Sequence, residues 1–132
     1  MIGMKVKTID QTRRVRKAVD RASYRNLGHA AASLRSAAMK SIKRGKGPGQ
    51  PGKPPHTRGK RKLPRSIYYD ADREGLSSIV GPKHSLVGLS AEAQEFGKTY
   101  KGTKFPERPF MGPALDANAD RMPSYWLHSV GE

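Results

Sequence analysis

The stretch GKGPGQPGKPPHTRGKRK, residues 45–62, holds the residue types that bind phosphate: glycines, whose backbone can approach an anion closely, and cations. Gly47, Gly52 and Lys53 stand at the Gly-x-x-x-x-Gly-Lys spacing of a nucleotide-cradling loop. That chemistry also needs a hydroxyl after the lysine to hold magnesium, a strand leading in and a helix leading out. Here Pro54 follows Lys53, a helical pattern precedes the loop, and Pro48, Pro51, Pro54 and Pro55 strip out amide donors that would hold phosphate. The spacing is accidental. The stretch reads instead as a semi-extended, mobile Gly/Pro-rich arm over residues 45–64. Lys43, Arg44, Lys46, Lys53, Arg58, Lys60, Arg61, Lys62 and Arg65 give the arm and its flanks nine positive charges and no acid. Its expected target is a polyanion or an acidic protein surface.

Other catalytic patterns are missing. The four histidines, His29, His56, His84 and His128, lie far apart, without ligand spacing to one another or to acids. There is no cysteine, so no disulfide framework or thiolate zinc site is available. Asp70, Asp72 and Glu74 cluster in a polar turn, where solvated charge is expected, and no serine sits in a Gly-x-Ser-x-Gly elbow. The expectation is a protein that is not an enzyme and uses no cofactor or metal.

The elements that carry the cations follow from charge and periodicity. Residues 1–65 hold 19 of the 26 Lys and Arg and two acids, Asp10 and Asp20, whereas residues 66–132 hold seven bases and nine acids. One half is thus suited to a charged partner and the other to packing, within one domain of 132 residues. Val15, Ala18, Val19, Ala22, Leu27, Ala30, Ala31, Leu34, Ala38 and Ile42 form an apolar stripe along a helix over residues 10–44, with Asp10 as N-cap and Gly45 as its stop. At 1.5 Å per residue such a helix is about 50 Å long, more than so small a domain can cover. Its alanines bury little area each, so part of it is expected to pack on another copy or another protein; a break at Gly28 is the alternative.

Residues 65–132 read as a hairpin, Ile67–Tyr69 and Leu76–Val80 around the turn DADREG, with Gly81-Pro82 ending the second strand. A short helix SAEAQEF follows, with Ser90 as N-cap and Gly97 just past its end. The residues before Pro106, Pro109 and Pro113 favour extended backbone, Pro113 opens a further helix, and Pro123 breaks or restarts it before SYWLHSV. Phe96 and Phe110 are scarce aromatics expected to anchor the core, and the guanidinium of Arg108 is expected near Glu95, Glu107 or a neighbouring subunit.

Read in order behind a long helix and a basic loop, AQEFGKTYKGTKFPERPFMGPALDANADRM resembles the C-terminal half of the small head–tail joining, or tail-completion, proteins of long-tailed bacteriophages. The matching positions are Glu95-Phe96-Gly97, the turn Pro106 to Phe110 with Arg108 and Pro109 inside it, and Pro113-Ala114-Leu115 opening a helix. Upstream, PPHTRGKRKLPRSIYY is similar to the family's arm leading through Leu63 into Ser66-Ile67, and IVGP to the end of its next strand. The likeness runs from about residue 27 onward. Pro123 departs from it, interrupting a helix usually continuous in such proteins, so the segment with Trp126 stands out as a separate contact surface.

The resemblance implies an α+β, ring-forming subunit: a long N-terminal helix packed on a small antiparallel sheet, with further short helices. It implies a structural virion protein at the phage neck, completing the tail's head-proximal end or joining it to the head connector in a ring around the DNA channel. The implied partners are further copies, the head connector, tail terminator or tail tube proteins, and channel DNA met without reading sequence. The first ten residues lack a secretion signal's apolar core and no apolar run reaches membrane-spanning length, so a protein made and used in a cytoplasm, or in a particle assembled there, is expected. The resemblance implies the virion, assembled in the host cytoplasm. The alternative is a freestanding, non-sequence-specific nucleic-acid-binding protein that uses the basic arm, although that arm lacks interleaved aromatics for stacking.

Overall fold

The computed structural model describes residues 3–5 and 11–129, with Tyr100 described by its backbone alone. Asp10, expected as a helix cap, lies outside the described residues. The architecture is α+β. Helix α1 spans Thr12–Ser41, continuous through Gly28, and its 30 residues extend about 45 Å. The predicted stripe has the right phase, since Ala22, Ala30, Ala31, Leu34 and Ala38 are all buried. Val15 and Val19, at its N-terminal end, are exposed, so the first three turns of α1 project beyond the body. The helix ends at Ser41, four residues before Gly45. Ile42 turns extended and is fully buried, because the core claims its side chain.

Helix α1 lies against a two-stranded antiparallel sheet, β1 (Ile67–Asp72) and β2 (Ser77–Pro82), with Ile67 opposite Pro82 and Asp72 opposite Ser77. The turn between them uses Asp72, whose Oδ1 accepts the Glu74 N–H at 3.0 Å. A four-residue helix, α2 (Lys62–Arg65), leads into β1 through Ser66. That residue is fully buried: its hydroxyl donates to Leu63 O at 2.6 Å, and its carbonyl accepts the Lys83 N–H at 2.7 Å. Arg35 of α1 donates from Nε to Ile67 O at 2.6 Å, pinning strand to helix at the same corner.

Beyond the sheet come α3 (His84–Val87), α4 (Ser90–Phe96), a two-residue ribbon β3 (Thr99–Tyr100) with β4 (Thr103–Lys104), α5 (Met111–Ala119) and a closing 3-10 turn, Met122–Trp126. Leu89, not Ser90, is the N-cap of α4, and the Ser90 hydroxyl donates to Val87 O at 2.5 Å. Gly97 ends α4 in the left-handed region at φ 65°, where an added Cβ would stand 2.9 Å from the Glu107 backbone nitrogen. The core is small: Leu34, Ala38, Ile42, Ile67, Ala91, Phe110 and Ala114.

Candidate functional site: a basic loop face and an apolar groove

Residues 42–61 do not form an extended arm. They close on themselves: Thr57 N–H donates to Lys43 O at 2.9 Å, His56 N–H to Pro48 O at 3.2 Å, and Arg44 bridges Thr57 in parallel. The prolines leave enough donors for this closure because Gly45, Lys53, His56 and Thr57 supply them. Pro55 is among the most buried side chains. Gly47, Gly49 and Gly52 take positive φ angles of 84°, 90° and 80°, turns that a side chain would resist.

Arg108 ties this loop to the rest of the domain. It is buried at 6% exposure, and its Nε donates to Gly49 O at 3.0 Å, not to Glu95 or Glu107. Its own N–H donates to Gln94 O at 2.6 Å, and Gly52 N–H donates to Glu107 O at 2.8 Å. The basic loop is therefore latched to the Pro-rich segment at two adjacent points.

Glu95 has a different task. Its Oε2 accepts the N–H groups of Phe110 at 2.8 Å and Met111 at 3.0 Å, and its Oε1 accepts that of Gly112 at 2.8 Å. These are the orphan donors at the start of α5, and the next residue, Pro113, has none to offer. A carboxylate also suits the positive end of the helix dipole. Glu95-Phe96-Gly97 and Pro113-Ala114-Leu115 thus meet as one capped joint.

The two phenylalanines part company at this joint. Phe110 is fully buried, as its scarcity suggests, whereas Phe96 is 62% exposed. The short α4 turns Ala91 and Ala93 inward and commits Glu95 to α5, which leaves Phe96 on the outer side. Leu89 and Leu115 are exposed beside it, at 55% and 46%, while Ala114 is buried. Together with Phe110, Met111 and Pro82 they line a groove of about 540 Å³. In the motif turn, Pro106 is exposed and Pro109 half-buried; Pro113 is exposed.

On the basic face, eight of the nine predicted cations are exposed and Arg61 is half-buried. The fold brings Arg44, Arg61 and Arg65 together around a second pocket of about 300 Å³, and adds Lys40 from the last turn of α1. Lys43, Lys46, Lys53, Arg58, Lys60 and Lys62 stay outside it. Arg61 takes a left-handed backbone, φ 54°, and its Nη2 donates to Ile42 O at 2.7 Å. Lys40 lies outside the nine cations picked out from the sequence, because its convergence with Arg61 depends on the loop's closure.

Among the described residues, no cluster of His, Asp or Glu could hold a metal ion, and no helix is long and apolar enough to cross a membrane. Neither a family model, a curated protein nor a solved structure matches this chain.

Proposed function

We propose that the protein is a structural subunit of the neck of a long-tailed bacteriophage particle. In this reading it forms part of a ring around the DNA channel and completes the head-proximal end of the tail or docks it to the head connector. The observation that carries the reading is the groove holding Leu89, Phe96 and Leu115 exposed at the edge of a very small core. A monomer gains nothing from leaving such residues bare, whereas an assembly subunit needs a cohesive face.

A second copy is the occupant that fits. The projecting start of α1 offers exposed Val15 and Val19 among Arg13, Arg14, Arg16, Lys17 and Arg21, with Asp20 as the one acid there. The helices that wall the groove, α4 and α5, carry Glu92, Glu95 and Asp116 and no base. Helix end into groove is a contact between unlike surfaces, which closes into rings when its rotation allows. The motif order supports the same reading: Glu95 and Gly97 join the end of α4 to the start of α5 at Pro113, and Arg108 latches the basic loop beside them.

The test is genetic and visual. The reading frame is deleted from the replicon that carries it, particle production is induced, and the lysate is imaged by negative-stain electron microscopy. Filled heads and separate tails, rejoined when the wild-type protein is supplied in trans, are the expected result. Normal infectious particles would exclude the role.

A further inference from the structure

We propose that the pocket between the end of α1 and α2, lined by Lys40, Arg44, Arg61 and Arg65 over Met39 and Pro64, is a phosphate-binding site for the phosphodiester backbone of a nucleic acid. Four cations converge on a concavity of about 300 Å³ with no carboxylate in its lining. The ion pair seen among the described residues, Lys98 with Glu92, involves none of them. Like charges held this close repel one another, so the arrangement favours an anion between them.

The ligand's shape follows from the donors. One guanidinium fork satisfies a planar carboxylate bidentately, but three forks and an ammonium exceed what a single carboxylate can accept. A tetrahedral phosphate presents oxygens in more directions and can engage several forks at once. Arg61 is already fixed at the pocket by its bond to Ile42 O, and its Nε is buried without a partner, a donor left unmatched. Lys43, Arg58 and Lys62, within three residues of pocket residues in the chain, are exposed. A strand of linked phosphates can use the pocket and these neighbours together, which a lone phosphate cannot. Contacts of this kind position a backbone and read no bases. The site stands whether or not the protein belongs to a phage neck.

The experiment measures affinity of the full chain for a fluorescent random-sequence DNA duplex across salt. Arg44→Gln with Arg65→Gln is compared with the equal charge change Arg13→Gln with Lys17→Gln. Four phosphate contacts predict a loss of roughly a hundredfold in wild-type affinity between about 50 and 200 mM salt. The pocket variant should lose at least about tenfold at low salt and flatten the logarithmic salt slope by about two, while the control stays within about twofold. The single variant Arg65→Gln, at an exposed position, should show half of the slope change if the double variant does not fold. Inorganic phosphate should displace the duplex better than acetate at equal ionic strength. Equal losses in pocket and control variants would overturn the proposal, as would displacement by poly-glutamate at the concentrations at which DNA competes. Phosphate binding that the pocket variant abolishes, with DNA binding untouched, would assign the pocket to the free anion and overturn the nucleic-acid assignment.

Discussion

The Glu95 carboxylate accepts the backbone N–H of Gly112 at 2.8 Å, joining the end of one short helix to the start of another. With its bonds to Phe110 and Met111 it satisfies the open donors of α5 where Pro113 has removed the remaining one. Glu95→Gln keeps the length but loses the charge and one acceptor. It should lower stability by about 1–2 kcal/mol, read from urea unfolding, with Glu95→Ala costing more.

Gly97 tests the same joint from the other side. Gly97 and Gly102 both have positive φ, at 65° and 75°, but only Gly97 faces a backbone atom at 2.9 Å where its Cβ would go. Gly102→Ala should cost about 1–2 kcal/mol for the left-handed conformation alone. Gly97→Ala should cost at least about 1 kcal/mol more, because the Glu107 backbone must move.

Arg108→Lys removes the Nε donor to Gly49 O and leaves an ammonium in a site only 6% exposed. The expected loss is about 1.5–3 kcal/mol. Hydrogen exchange separates a loosened latch from general destabilisation: the Gly52 and Thr57 amides should speed up more than those of Leu34 or Ala38.

Phe96 and Phe110 should behave as opposites. Phe110→Ala should cost about 3–5 kcal/mol because its ring is fully enclosed. Phe96→Ser should change the stability of the isolated subunit by no more than about 0.5 kcal/mol. Supplied in trans to the deletion, the Phe96 variant should nonetheless fail to restore joined particles.

That contrast marks the limit of what the sequence made legible. Periodicity located α1 and its buried face, short β-prone runs and turn residues located the hairpin, and Gly97 was readable as a helix end. Hydrophobicity alone placed both phenylalanines inside; which one is covered depends on how the seven-residue α4 is rotated by its bond to α5. Arg108 suggested a carboxylate partner because charge attracts charge, but the loop's closure sets a backbone carbonyl there first. The four-residue helices α2 and α3 and the two-residue ribbon are too short to leave a period. The nine cations were visible in the sequence; the pocket was not, since Lys40 and Arg61 meet only after Arg61 adopts a left-handed turn and bonds to Ile42.

The most direct test of the neck assignment is location. A short peptide tag placed after Glu132, in a strain whose particles remain infectious, allows gold labelling of purified virions for electron microscopy. Gold at the junction between head and tail is the predicted result. Particles free of label, or labelled at the tail tip or over the capsid, would contradict the account.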